Sequence, residues 1–345
     1  MDKLKRILIM QTAFLGDVVL TIPLIMATKK AFPDAYLSVM VIPSVKEVLE
    51  NNPDIDEIII YDKKGKDRSW LAFLDLVTKI KGRHFNMAIL PHRSFKSALL
   101  CFLARIPRRI GFNTAAGRFL YTDKVQYRQS TQIHEIDRNL DLLKPLGVKD
   151  RKAAIFIDPG KVAKNYALEL YNEYEIKATD LVIGINPGSV WATKRYATEK
   201  YAALADRLVH ELKATIIIIG SPTDAPVAGK MAHEMRETVI NLAGQNTIPQ
   251  MIALMKRFNL LVTNDCGAMH IATALGVPVV AIFGPTTQSL GFYPYSTKDI
   301  VVEKDLPCRP CGKHGSKYCP KKNFACMKLI SVSDVYDAVK RRLEE

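Results

Sequence analysis

The strongest constraint on the fold is a rhythm: short apolar, β-branched runs alternate with helical patterns along nearly the whole chain. Candidate strands are Arg6–Met10, Tyr36–Ile42, Glu57–Tyr61 and Asn86–Pro91, with helical patterns over Asp17–Ala31, Val45–Asn51, Trp70–Lys81 and Ser94–Ile106. The rhythm breaks around Lys149–Lys152 and restarts near Leu181. The second set of strands reads Leu181–Asn186, Thr215–Gly220, Val239–Leu242, Leu260–Asn264 and Val279–Phe283. Its helices read Thr198–Leu212, Asp224–Glu237, Thr247–Lys256 and Ala268–Leu275. Such alternation predicts βαβ units, hence parallel sheets with helices on both faces. Two Rossmann-like halves are expected, residues 1–170 and 171–345, joined within 150–180. The final "SVSDVYDAVKRRLEE" is amphipathic and is expected to pack back as a closing helix, with the N-terminal domain as one candidate partner.

At 345 residues, 48% hydrophobic and 24% charged, the chain has the make-up of a soluble globular protein with room for two cores. No apolar run approaches the roughly 18–20 residues that span a bilayer. Lys3, Lys5 and Arg6 before "ILIM" mimic a signal peptide, but Gln11, Thr12, Gly16 and Asp17 interrupt the apolar segment too early. A cytoplasmic location is therefore expected. The net charge of +14 asks for an anionic partner. The excess is uneven, with 16 Lys/Arg against 5 Asp/Glu between Lys63 and Arg138. Within "HRSFKSALLCFLARIPRRIGF", Arg93, Lys96, Arg105, Arg108 and Arg109 alternate with apolar residues, of which 95, 98, 99, 102, 103 and 106 keep helical spacing. A basic rim beside an apolar stripe suits an anionic membrane surface or a phosphorylated lipid. It is also what a solvated helix face looks like. Nucleic acid fits the charge, but no recognised binding motif accompanies it.

Two stretches of the second half are built for an anion. "GINPGSVWATKRY" (184–196) is a strand, a Pro-Gly-Ser turn and Lys194, which offers close backbone approach and a point charge. "NDCGAMHIATALGVPVVAIFGPT" (264–286) places Asp265, Cys266 and Gly267 where a helix begins, so free N–H groups and the positive dipole end face outward. His270 follows one turn later. Asp265 reads equally well as a plain N-cap. These residues line the C-terminal ends of predicted parallel strands, the edge at which open α/β sheets bind ligands. In the first half, "RILIMQTAFLGDVVLTIPL" (6–24) has one turn glycine, Gly16, followed by Asp17. It lacks the G-x-G-x-x-G of a dinucleotide site, which argues against an NAD-dependent dehydrogenase. Asp17 is either an N-cap or a general base. An aspartate suffices as base where the hydroxyl proton turns acidic only as its oxygen bonds to an electrophilic carbon.

Five stretches, "FLGDVVLTIPL", "SFKSALLCFLARIPRRIGF", "HEIDRNLDLLKPLG", "INPGSVWATKRY" and "NDCGAMHIATALGVPVVAIFGPT", resemble in order the heptosyltransferases of glycosyltransferase family 9, and within it the heptosyltransferase II branch. The resemblance implies an α/β GT-B fold, two Rossmann-like domains facing across a cleft, the N-terminal one for acceptor and the C-terminal one for nucleotide sugar. It implies inverting transfer of L-glycero-D-manno-heptose from ADP-heptose to the inner core of lipopolysaccharide, without a catalytic cofactor or metal. The acceptor is then Kdo-lipid A, or that molecule already carrying one heptose, at the inner leaflet of the cytoplasmic membrane. Position by position, Asp17 matches the catalytic aspartate and Lys194 the lysine that neutralises the donor phosphates. Asp265, Gly267 and His270 match a D-[TS]-G-x-x-H donor motif, with Cys266 in place of the usual hydroxyl residue. Asp224 lies near an acidic ribose contact, Ser189 and Thr193 are phosphate neighbours, and Arg93, Ser94 and Lys96 fall where the family handles its acceptor.

Cys308, Cys311, Cys319 and Cys326 crowd into "CRPCGKHGSKYCPKKNFAC" with spacing C-x2-C-x7-C-x6-C. One C-x2-C is a good chelating half, so a structural zinc or iron–sulfur site stands beside reduced thiols or a redox-dependent disulfide. Cys266, at a helix start, is a candidate for a lowered thiol pKa. Two rival functions remain open: a GT-B transferase for another nucleotide sugar or acceptor, and a non-catalytic protein that binds anionic polymers.

Overall fold

The computed structural model describes residues 5–128, 133–149 and 155–345. Lys3 and most of the break at Lys149–Lys152 lie outside them. The chain divides into two compact units, Met1–Ile157 and Asp158–Glu345.

The first unit runs β1 (Arg6–Met10), α1 (Leu15–Val19), α2 (Ile22–Ala31), β2 (Tyr36–Val41), β3 (Glu57–Ile60), α3 (Trp70–Gly82), β4 (Met87–Leu90), α4 (Phe95–Leu103), β5 (Arg108–Phe112), β6 (Asp123–Val125) and α5 (Glu135–Asp141). Among the described residues its sheet is six-stranded and parallel, in the order β3-β2-β1-β4-β5-β6. The second unit runs α6 (Gly160–Glu173), β7 (Val182–Asn186), α7 (Thr198–Leu212), β8 (Thr215–Ile218), α8 (Ala225–Glu234), β9 (Ile240–Asn241), α9 (Ile248–Met255), β10 (Leu260–Asn264), α10 (Gly267–Ala274), β11 (Val279–Phe283), β12 (Ile300–Glu303), α11 (Ala325–Lys328) and α12 (Val332–Glu344). Its described sheet is ordered β12-β11-β10-β7-β8-β9, all parallel. Counted from each unit's first strand, both orders are 3-2-1-4-5-6, the doubly wound Rossmann arrangement. The central strands β7, β10 and β11 are buried along their whole length, as expected for parallel strands covered by helices on both faces.

Several expected elements differ in instructive ways. The helix expected over Asp17–Ala31 is two helices, because Pro23 in the first turn of α2 has no N–H to continue α1. Val45–Asn51 is a 3-10 turn over Pro43–Val48. The helix expected to reach Ile106 stops at Leu103, with Arg105 left-handed at φ 56°. Arg108 and Arg109 therefore belong to β5 and not to a helical rim. Arg108 pairs with Asp123 of β6 at 3.0 Å and donates to the Pro145 carbonyl, while Arg109 donates to the Leu120 and Ile106 carbonyls.

The unit boundary falls at Ile157/Asp158, ahead of the expected 170/171, because α6 packs on α9. The closing helix α12 begins with a Ser331–Asp334 capping box and packs on α7, β11 and β12 of its own unit. Val335 and Val339, both fully buried there, contribute about 1.5–3 kcal/mol each.

Candidate functional site

In a doubly wound sheet the strand order reverses between the first and fourth strands, and a crevice opens at their C-terminal ends. Each unit places expected site residues at that point.

In the second unit the point lies between β7 and β10. After β7 comes Pro187-Gly188-Ser189, and the turn is held from β10. Asn264, its side chain fully buried, donates through Nδ2 to the Pro187 and Gly188 carbonyls at 2.9 and 3.1 Å. Its Oδ1 accepts from the Tyr196 amide at 3.0 Å and the Tyr201 hydroxyl at 3.1 Å. Gly188 is required by space: a Cβ there would meet Asp224 Cγ at 2.2 Å. Asp224, just before α8, thus lies against the turn, and its Oδ2 accepts from Ser221 N at 3.0 Å and Ser221 Oγ at 2.6 Å. Ser189 is buried in the same turn, its carbonyl held by Arg195 Nε at 2.8 Å.

Lys194 Nζ reaches Asp265 Oδ2 at 2.6 Å, a pair largely withdrawn from water, and Thr286 Oγ1 donates to the same oxygen at 2.6 Å. Asp265 is therefore not the cap of α10. The residue at that cap is Cys266, followed by Gly267 as the first helical residue. The thiol of Cys266 is pushed up by burial, which outweighs its contact with the Thr263 hydroxyl; the expected lowering does not occur. His270 is buried beside the pair and its pKa is pushed down to about 4 by desolvation, so the imidazole is neutral at pH 7. The turns after β7, β8, β10 and β11 thus bring Ser189, Lys194, Asp224, Asp265, Cys266, Gly267 and His270 to one edge. Thr286 and Asn264 join them, neither singled out from sequence, although both stand in quoted motifs.

Thr193 behaves differently. Its hydroxyl donates to the Ser316 carbonyl and accepts from the Ser316 amide, both at 2.8 Å. That contact ties the site to the cysteine-rich segment, whose Gly315 packs so closely on Trp191 and Lys194 that a Cβ would meet each at 3.0 Å. Farther back, Arg309 is buried and donates to the carbonyls of Gly284 and Thr286 in the turn after β11, and pairs with Glu303 at 2.7 Å. Cys311 N donates to Pro285 O at 2.9 Å. The segment is a strap fastened across the turns after β7 and β11. Cys308, Cys311, Cys319 and Cys326 are free thiols. Among the described residues no group of three or more His, Cys, Asp or Glu is placed to hold a metal ion, so the zinc or iron–sulfur expectation finds no site.

In the first unit the point lies between β1 and β4. Asp17 is the third residue of the five-residue α1, half-buried; the N-cap is Phe14, so the capping alternative is set aside. Its carboxylate acts on Lys63, whose Nζ donates to the Thr12 carbonyl at 2.5 Å. Burial, Lys64 and Lys96 depress the Lys63 ammonium, and Asp17 opposes them. Thr12 Oγ1 meets His92 Nδ1 at 2.9 Å, and burial, Lys63 and Arg93 push His92 down to about 4. The Arg93 guanidinium lies 4.2 Å over the Tyr127 ring; Tyr127 in turn donates to Glu135 at 2.8 Å, which takes Arg138 at 3.0 Å. Ser94 is the N-cap residue of α4, and Lys96 is exposed in its first turn. Lys63, His92 and Tyr127 were not picked out from sequence, since each is placed by long-range packing that no local spacing announces.

Two doubly wound α/β units in tandem, with charged residues at both crevices, have the make-up of the GT-B fold. The model of Glycosyltransferase family 9 (heptosyltransferase) matches residues 73–322, and the chain belongs to that family. It is 26% identical over 291 residues to "Lipopolysaccharide heptosyltransferase 2" of Salmonella typhimurium, covering 82% of this chain and 83% of that one. A solved glycosyl transferase family 9 structure from Veillonella parvula superposes with a TM-score of 0.88 at 27% identity, over 99% of this chain and 97% of the other. The E. coli ADP-heptose lps heptosyltransferase II superposes at 0.78 and 22% identity, over 98% of each chain.

Proposed function

We propose that the protein is an inverting glycosyltransferase that moves L-glycero-D-manno-heptose from ADP-heptose to the inner core of lipopolysaccharide, as the second heptose, at the cytoplasmic face of the membrane. The observation that carries the reading is the pair of charged crevices: a carboxylate after β1 in the first unit, and a lysine beside a helix N-terminus in the second. The family and the relatives' names supply the sugar and the acceptor. No helix among the described residues is long and apolar enough to cross a membrane, and membrane contact on this reading is peripheral.

The chemistry is one displacement. An acceptor hydroxyl oxygen attacks the anomeric carbon from the face opposite the nucleotide, forming the new C–O bond. Asp17 takes the hydroxyl proton as that bond develops. The bond from anomeric carbon to phosphate oxygen breaks, and its electron pair leaves on ADP. Lys194 and the amides opening α10 supply the positive charge that the departing diphosphate needs, so we assign no metal to the step. Ser189 lies with them on the phosphates, Asp224 serves the ribose, and neutral His270 orients the donor. Arg93, Ser94 and Lys96 receive the anionic acceptor.

Product mass spectrometry tests this with purified protein, ADP-heptose and two acceptors, bare Kdo-lipid A and the same molecule bearing one heptose. One heptose added only to the heptose-bearing acceptor is expected, with Asp17→Asn reducing turnover at least 10³-fold. Transfer undiminished in that variant removes Asp17 from the chemistry. Binding of ADP without transfer to either acceptor points to another sugar or acceptor on this scaffold.

A further inference from the structure

The strap holds four of the six cysteines, and the site described above uses none of these four. Their surroundings differ. Around Cys319 the chain curls back on itself: the Lys322 amide returns to the Cys319 carbonyl at 3.0 Å, and Lys322 and Phe324 are left-handed at φ 57° and 55°. That path turns the amides of Lys321, Lys322, Asn323 and Phe324 toward the Cys319 sulfur. Partial desolvation disfavours the thiolate, but these donors outweigh it and hold the thiol below its usual value. Cys319 is only half-buried, so small solutes reach it. Cys311 is exposed, and its Sγ donates to the Cys308 carbonyl at 3.2 Å. Desolvation and the neighbouring charges of Cys308 and Cys319 push its thiol up. Cys326 is buried, and burial pushes it up as well. An accessible thiolate beside a protonated thiol is the arrangement of an oxidation-sensitive pair.

We propose that Cys319 and Cys311 are a modification site for peroxide, which closes them into a disulfide around the loop that rests on Lys194. That loop, residues 312–318, is the part of the strap that touches the site. Its Ser316 exchanges two hydrogen bonds with Thr193, and its Gly315 packs on Trp191 and Lys194. In the first step the Cys319 thiolate attacks one oxygen of hydrogen peroxide. An S–O bond forms, the O–O bond breaks, and the departing hydroxide takes up the proton that the Cys319 thiol released, giving water. The Cys311 sulfur then attacks the Cys319 sulfenic acid. The S–S bond forms, the S–O bond breaks, and the second hydroxide leaves with the Cys311 proton as water. Two thiols are oxidised by two electrons, and the peroxide is reduced. Thiol reductants reverse the bond, as befits a disulfide in a reducing compartment. Closing the bond draws the two ends of the loop together and shifts its tip, where Ser316 seats the turn Ala192–Lys194 through Thr193. The consequence for ADP rests on the proposed function, whereas the pair itself does not.

Full-length protein, reduced and freed of reductant, tests the proposal. Metal analysis comes first, and a zinc or iron ion held by these thiols overturns it. At pH 7 iodoacetamide is expected to modify Cys319 at least tenfold faster than Cys311, and equal rates overturn the assignment of the thiolate. After hydrogen peroxide, non-reducing peptide maps are expected to show peptides joined through Cys311 and Cys319, two hydrogens lighter than the separate pieces and released by dithiothreitol. Cys311→Ser should stop at a sulfenic acid on Cys319, trapped by dimedone, and Cys319→Ser should form no disulfide. A bond mapped to other cysteines, or no bond, overturns the proposal. In a Trp70→Phe background Trp191 is the sole tryptophan, and its emission is expected to change on oxidation but not when Cys311→Ser is added. Unchanged emission overturns the link from the bond to the Lys194 turn. ADP affinity is expected to fall at least threefold on oxidation and to recover on reduction. Formation of the bond without heptose transfer by the reduced protein sinks the proposed function alone, and transfer by a protein that never forms the bond sinks this inference alone.

Discussion

Lys194 and Asp265 retain 12% and 7% of their side-chain exposure, so each neutralises a charge the other holds out of water. Removing one partner of such a pair costs more than removing both. Lys194→Met is expected to lower the unfolding free energy by about 3 kcal/mol, because Asp265 is left with the Thr286 hydroxyl and neutral His270 and no cation paired with it among the described residues. Lys194→Met/Asp265→Asn should recover most of that stability without recovering ADP affinity. Urea unfolding and calorimetric titration of both variants measure the two quantities separately. A single variant as stable as wild type, or a double variant that binds ADP normally, contradicts the assignment. The sequence showed the lysine and the aspartate but not their contact, since the two lie 71 positions apart and are brought together through the β7–β10 pairing.

Elements with strong apolar periodicity were legible: β1, β10, β11 and α7 match their expected spans residue for residue. Those missed share a cause. β5 opens with two arginines that are satisfied by a carboxylate and carbonyls, β12 is half-buried at a sheet edge, and α6 finds its packing partner, α9, more than 80 residues away. Charge on a strand reads locally as solvent exposure, and only the fold supplies the partners. The cysteine-rich strap was the least legible element, its anchors being the Arg309 side chain, the Cys311 amide and Ser316 rather than any thiol. Arg309→Ala leaves Glu303 and the Gly284, Lys304 and Thr286 carbonyls without their donor, and is expected to lower the melting temperature. It should speed tryptic cleavage at Lys313 or Lys317 roughly tenfold, equivalent to about 1.4 kcal/mol easier opening. Timed proteolysis followed by peptide mass analysis reads this out, and equal cleavage rates in the variant and wild type would show that the strap is held elsewhere.

At the scale of the whole chain each unit has its own core, and α12 completes the second with Val335, Tyr336 and Val339. Residues 158–345 produced alone are therefore expected to fold cooperatively and bind ADP, whereas 1–157 alone should not bind it. Calorimetry on the two fragments decides this, and a fragment 158–345 that melts without a transition would show that the second unit depends on the first. The net charge of +14 gives the molecule a far-reaching field that draws every anion in the cell toward it, chloride and nucleic acid as readily as a nucleotide sugar. Discrimination cannot come from that field. On the proposed donor site it would arise at the Lys194–Asp265 contact, where Asp265 is a resident competitor, a carboxylate already seated on the cation. On that reading a stray monovalent ion has nothing with which to dislodge it, whereas a diphosphate that also engaged the helix start and the glycine turn would. Such a chain attracts without selectivity at long range and selects only at contact.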